Sequence, residues 1–267
     1  MRRWIQTALL AVMLLLPGCT NPEEVDEGPV DLVVHYDLTN GTIERSYQNG
    51  QATTDQGAEF EFDFALTTSS AGMMSTFSLL PGDGSDAIVI EASDGAALSH
   101  TYTTHGLFTV VLTATDDAGN NATLVLTVRV DMVLTSNQQG LQQGQSHTTE
   151  VDVTPDSNNE GPNSLRITSV VENPTSPIPN PAQPNGPAQV SWFLVDEEGE
   201  EADSRSEYIG DGTTTTYETS QTRPDSGAWV LRIENGENGN TVNVQNTIEV
   251  RYSLEESPAN PMPSAPE

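Results

Sequence analysis

The residues best suited to chemistry in this chain are carboxylates set in turns. Asp83 and Asp86 lie in Pro81-Gly82-Asp83-Gly84-Ser85-Asp86, and Asp116 and Asp117 open Asp116-Asp117-Ala118-Gly119-Asn120. Calcium takes about six to eight oxygen ligands, and clustered carboxylates supply such oxygens. These four Asp residues are therefore the candidate calcium ligands. No EF-hand spacing accompanies them, and Asp at such positions is first of all a turn residue, bonding its own backbone two residues on. The expectation is no cofactor, with calcium at these positions as the alternative. The four histidines, His35, His100, His105 and His147, are scattered. They offer neither a His-Glu-x-x-His pair nor the three or four converging ligands that zinc needs. Nucleophilic catalysis has little to work with: there is no Gly-x-Ser-x-Gly elbow and no Lys, and the only cysteine is Cys19. Pairs of carboxylates fit for glycoside hydrolysis carry no signal here, because 39 acids guarantee that some pair will look right.

The elements that must position these residues read as strands. In residues 106–116, Phe108, Val110, Leu112 and Ala114 alternate with Thr109, Val111, Thr113 and Thr115. After the Asp-Asp-Ala-Gly-Asn turn the alternation resumes with Ala122, Leu124, Leu126, Val128 and Val130. A period of two on both arms, with β-branched residues and a Gly/Asn/Asp turn between them, predicts a β-hairpin. Glu59-Phe60-Glu61-Phe62-Asp63-Phe64 predicts another strand, with its three Phe inward. Leu32 to Tyr36, Met74 to Leu80 and Ala87 to Glu91 complete a first sheet protein. Tyr102, just before the hairpin, is placed to bury its ring and bond its hydroxyl to backbone, as in a tyrosine corner.

These residues resemble a PKD domain, an immunoglobulin-like sandwich found on archaeal and bacterial surface proteins. The resemblance rests on His100-Thr101-Tyr102, Gly106-Leu107-Phe108-Thr109-Val110, Asp116-Asp117-Ala118-Gly119-Asn120 and the Gly82-Asp83-Gly84 turn. Where that family carries an aromatic Trp-Asp-Phe strand, this chain has Phe77-Ser78-Leu79-Leu80. The resemblance implies a non-catalytic spacer or interaction module in which the His100 position is structural.

A second β domain is expected over residues 147–254. Its best strands surround Leu165, Val190, Trp229 and Ile248. Trp192-Phe193-Leu194-Val195-Asp196-Glu197-Glu198-Gly199 and Ser226-Gly227-Ala228-Trp229-Val230-Leu231-Arg232-Ile233 resemble pre-peptidase C-terminal and jelly-roll modules, which implies a stabilising or binding accessory domain. Trp192 and Trp229 sit within apolar runs and are expected to be buried. The fold class is thus all-β: an immunoglobulin-like PKD-type sandwich over residues 30–132, then a jelly-roll-like sandwich over 147–254. The Gln-rich stretch 133–146 is expected as a linker between them, with the alternative that Met132-Val133-Leu134 still belongs to a strand. Six prolines within 172–187 predict a projecting loop, and the proline-rich end, 255–267, a disordered tail.

Residues 1–18 read as an export signal, with Arg2 and Arg3 before a short apolar core. It ends Leu16-Pro17-Gly18-Cys19, which resembles a lipobox, so Cys19 is the expected lipidation site. Residues 19–29 form an acidic tether. Asn40 and Asn121 open glycosylation triplets, Asn-Gly-Thr and Asn-Ala-Thr.

Charge bounds the partners. All 9 basic residues are Arg, against 39 acids, for a formal charge of −30. Such a surface repels itself in dilute buffer and is screened in concentrated salt. The composition suits a salt-loving, archaeal-like source. It disfavours nucleic acid and anionic lipid as direct partners, since both need basic patches. The expected protein is not an enzyme. It is a lipid-anchored module on the outer face of the cell membrane, working in adhesion, envelope architecture or protein–protein contact with other surface proteins or glycans. The alternative is an accessory lipoprotein that captures a carbohydrate or peptide, with or without calcium.

Overall fold

A computed structural model describes residues 28–156, 160–175, 186–236, 240–253 and 255–264. The signal, Cys19, most of the tether, the centre of the proline-rich segment and the last three residues lie outside these. Among the described residues the chain is all β. The strands of the first half are β1 (Val30–Asp31), β2 (Asn40–Gln48), β3 (Gln51–Gln56), β4 (Ala58–Asp63), β5 (Thr68–Ser69), β6 (Met74–Leu80), β7 (Ile88–Glu91), β8 (Ala97–Tyr102) and β9 (Gly106–Asp116). Then come β10 (Asn121–Leu141), β11 (Ser146–Asp152), β12 (Ser164–Asn173), β13 (Ala188–Val195), β14 (Glu201–Ile209), β15 (Thr213–Thr222), β16 (Ala228–Asn235) and β17 (Val242–Arg251).

The organising strand is β10. Its first half pairs antiparallel with β9, Asn121 opposite Thr115 through Val130 opposite Gly106. Its second half pairs antiparallel with β17, from Met132 opposite Val250. Parallel β2 lies along Arg129 to Asn137. It must therefore occupy the edge opposite both β9 and β17, which follow one another end to end. The result is one large sheet, ordered β15-β12-β17-β10-β9-β6-β7, with β2 and β3 beyond the other edge of β10. Parity along β10 holds from Leu126 through Val128, Val130, Met132, Leu134 and Ser136, all buried, and shifts only between Gln138 and Leu141.

Two layers close over this sheet. The β4–β8 pair covers its first half, burying Phe60, Phe62 and Phe64 against Phe77, Leu79, Phe108 and Leu112. The sheet β11-β16-β13-β14 covers its second half with Trp192, Leu194, Leu231 and Ile233 against Leu165, Ile167 and Ile248. Trp192 and Trp229 are buried, and the Trp192 indole N–H donates to Ser169 Oγ at 3.0 Å.

Three expectations change. The stretch expected as a linker, 133–146, is strand through Leu141. Pairing on both edges makes it one, and its buried positions include polar groups that find partners: Ser136 Oγ meets His147 Nε2 at 2.9 Å. Apolar periodicity does not register such a strand. The expected tail folds back as well. Ser257 N donates to Thr127 O at 2.9 Å, Thr127 N donates to Ser257 Oγ at 3.0 Å, and Asn260 exchanges backbone bonds with Tyr36. Prolines bar the segment from a ladder, yet isolated backbone groups along the margin of the first domain accept it. Finally, Leu32 to Tyr36 is not a strand. It is held by single bridges, His35 to Asp63 and Tyr36 to Asn260.

Candidate functional site

The candidate calcium ligands do not come together. Asp83 belongs to the turn between β6 and β7, where Gly82 has φ +82 and a Cβ would stand 2.3 Å from Thr109 O, so only glycine fits. Asp83 Oδ1 accepts from Ser85 N at 3.0 Å, and Oδ2 lies 2.7 Å from His100 Nε2. An ionised carboxylate only accepts, so His100 Nε2 carries the hydrogen. Burial works to raise the Asp83 pKa. The bonds from Ser85 and His100 outweigh it and leave the carboxyl below its ordinary range. The His100 ring stands edge-on to Tyr102 at 4.7 Å between centroids, and the Tyr102 hydroxyl donates to Pro81 O at 2.7 Å. The expected buried ring and hydroxyl-to-backbone bond are present, but the acceptor lies 21 residues upstream, in the turn between β6 and β7. Asp86 is exposed.

Asp116 and Asp117 lie at the other end of β9, roughly 20 Å away at about 3.3 Å per residue. Asp116 is buried and fully engaged. It accepts from Asn120 Nδ2 at 2.9 Å, Asn120 N at 2.8 Å, Ala118 N at 3.0 Å and Ser69 Oγ at 2.7 Å. The Asn120 side chain above all, then Ser69 and the turn amides, hold its pKa below the usual carboxylate range against the opposing effect of burial. Asp117 Oδ1 accepts from Met73 N at 3.2 Å. Asp83, Asp116 and Asp117 are thus tied into turns and loops. Among the described residues no three His, Cys, Asp or Glu side chains converge as a metal site. Asn40 and Asn121 are both exposed at strand starts, and Asn40 Nδ2 donates to Glu256 Oε1 at 2.9 Å.

The densest polar cluster lies where the two domains meet, and sequence reasoning did not assemble it. His105 Nε2 is 2.9 Å from Asp152 O, so it carries the hydrogen, and Nδ1 accepts from the Tyr252 hydroxyl at 2.8 Å. Burial pushes the His105 pKa down, so the ring is neutral, although Asp152 and Asp156 oppose that. Tyr252 N donates to Asp131 Oδ1 at 3.0 Å, and Arg251 Nη1 reaches Asp131 Oδ2 at 3.3 Å. Arg129 bridges onward to Glu256 at 3.2 Å. A shallow cleft of about 260 Å³ opens beside His105, lined by Arg45, Thr104, Asp152, Thr154, Pro155 and Asp156. Both nitrogens of His105 are spent on structure, and no activated nucleophile stands beside it. The cluster ties the turn before β9 to the end of β17 and to β10. The only sequence signal was the break in strand pattern at Thr103-Thr104-His105, which reads as an ordinary turn.

A second depression, about 390 Å³, lies over the β4 side between His35, Asp37, Glu59, Glu61 and Met262. His35 Nδ1 faces the carbonyls of Asn260 and Pro261, both at 3.1 Å. Its Nε2 is buried without a partner among the described residues.

Comparisons with known proteins bear on the first domain. The family model of the PKD domain matches residues 46–131. No curated protein sequence matches the chain. Among solved structures, the PKD1 domain of Vibrio anguillarum Epp is 26% identical over 37% of this chain and 93% of its own, with a TM-score of 0.23. A carbohydrate-binding module of the β-sandwich superfamily is 13% identical over 85% of this chain and 98% of its own, with a TM-score of 0.32. A xylan-binding domain from Paenibacillus barcinonensis is 10% identical over 55% of this chain and 82% of its own, with a TM-score of 0.27. The stretch matched by the PKD model contains the Gly82 turn, the buried Tyr102 and most of the β9–β10 hairpin, the same residues that carry the sequence resemblance.

Proposed function

We propose that the protein is a non-catalytic interaction module, held by a lipid on Cys19 at the outer face of the cell membrane. The observation that carries this reading is the PKD match over residues 46–131, since that family resemblance implies a surface spacer or interaction domain. The 260 Å³ cleft at the domain junction supports it, because its histidine is tied at both nitrogens. The anchor would hang the first domain from residues 19–29 and present the second beyond it. Neither a metal nor another cofactor is needed.

The test is Cys19→Ser in the native host. The wild type is expected in the membrane fraction, open to protease on intact cells, and the variant in the medium. A variant that stays with the membrane would overturn the anchor. Acid-rich folding also predicts a melting temperature that rises with salt as repulsion is screened, and a salt-independent melt would count against a salt-adapted source.

A second reading, capture of a glycan by an accessory lipoprotein, draws on one surface. The open side of the large sheet carries Thr216, Val170, Gln245, Asn137, Gln48 and Gln51 in one cross-strand row. The side-chain amides of Gln245, Asn137 and Gln48 make no hydrogen bond among the described residues, so they are open to hydroxyl-rich ligands. Glycan-array binding lost on Gln245→Ala would favour this reading, and loss with EDTA would add calcium to it.

A further inference from the structure

The first domain has two unlike outer faces. The β4 strand turns Glu59, Glu61 and Asp63 outward. The opposite face, formed by β10, β9, β6 and β7, is almost free of charge. Register places Val125, Val111 and Leu80 in one cross-strand row. The next row is Thr123, Thr113, Ser78 and Val89. Val89 is 60% exposed, Val125 59% and Leu80 42%. They form a continuous apolar stripe, since Val89 lies diagonal to Leu80, within reach of its side chain. Threonines 109, 115, 123 and 127 flank it; Glu91 stands at one corner of the face, and Arg129 with Asp131 and Glu256 forms an ion-paired group at its β10 margin. Contiguous exposed apolar surface of this kind marks a contact site.

We infer that this stripe docks against the same stripe of a second copy of the chain. Charge selects that occupant. Copies carrying 39 acids against 9 Arg repel one another over most approaches, whereas on this face the acids are confined to the margins, where Asp131 and Glu256 are paired with Arg129, and the central stripe is uncharged. Like faces on like also satisfy the two-fold rule, because a stripe centred on Val111 is its own complement. Four strands about 4.8 Å apart, with alternate residues about 6.8 Å apart, present roughly 500 Å² per copy, or about 1,000 Å² in all. That is the lower bound for a specific interface, so the dimer is weak and reversible. Salt strengthens it twice over, by screening the flanking acids and by favouring apolar burial. The dimer goes beyond the anchored-module reading and stands without it.

Sedimentation velocity of the full chain decides the matter, across micromolar to millimolar protein at about 0.1 M and about 1 M NaCl, where the Debye length falls from about 10 Å to about 3 Å. The expected result is monomer at low salt and dimer at high salt, with the dissociation constant raised about tenfold or more by Val125→Glu or Val89→Glu. Val125→Thr, uncharged, should weaken it less. Both Glu variants alter exposed positions, and circular dichroism with a melt confirms their fold. A chain that stays monomeric in both salts overturns the proposal. So does association undiminished in both Glu variants, which would place the contact elsewhere, including in residues 1–29 that all forms share.

Discussion

The molecule contains two His–Tyr–Asp clusters of similar composition and opposite electrostatics. At the tip of the first domain, His100 lies against an ionised Asp83 and the Tyr102 hydroxyl ends on a backbone carbonyl. At the junction, His105 is neutral, takes the Tyr252 hydroxyl hydrogen and gives its own to Asp152 O, while Asp131 is neutralised by Arg251. The first cluster ties a turn to a strand within one domain. The second spans 147 residues of sequence between His105 and Tyr252. The difference teaches that residue type does not set the role of such a group; whether its partners come from the same domain does.

The largest effect that tests this comparison is at the tip. Tyr102→Ala removes a wholly buried ring from the first core and should cost about 3–5 kcal/mol, read as a fall in the midpoint of denaturant unfolding. A cost under about 1 kcal/mol would show that the ring is decorative. Tyr252→Phe, at the junction, is milder. It leaves His105 Nδ1 buried without a donor and should cost about 1–3 kcal/mol, with proteolysis between the domains faster than within either. If the variant instead opens the first domain alone, the cluster is not a joint.

The gentlest effect separates the clusters by acid. His105 and His147 have folded pKa values below the ordinary imidazole value, both through burial. A group so depressed is favoured neutral in the fold, so stability is full above about pH 6.5 and declines as pH falls below it, when the unfolded chain takes up protons first. Around His105 the charged neighbours are Asp152, Asp156 and Arg45. Asp83 and Asp116 are held low, so their stabilisation persists until pH falls below about 4 and is lost only there. Melts across pH should show two stages, and His105→Gln should flatten the first while sparing the second. A single loss near pH 4 in the wild type would refute the neutral junction.

The first domain was legible because its strands advertise themselves. The Phe60-Phe62-Phe64 alternation and the 106–130 hairpin are buried on one face as their period requires, and the Tyr102 bond followed from its place before a strand. The second half of β10 was not legible. Met132-Val133-Leu134 left a strand open as an alternative, but beyond Leu134 the inward Ser136 and Gln138 and the outward Thr135, Asn137 and Gln139 are polar, so nothing in the hydropathy of that stretch marks a strand. The pairing that makes it one comes from β2 and β17, the latter more than a hundred residues away. The Asp turns show the converse limit. Sequence placed four acids in loops as metal candidates, but Asp83 and Asp116 lie near opposite ends of β9; Asp116 is taken up by its own turn and Ser69, Asp83 by Ser85 and His100, and Asp117 by Met73 N, while Asp86 is exposed.

The path of the backbone has a consequence for load. The chain leaves the first half of the fold along β10, builds the second half, returns through β17, and brings Asn260 back against Tyr36. Tension applied between the two ends would run through the Val34–Asn260 region and peel the returning segment first. The strands from β11 to β17, lying off that line, would stay slack.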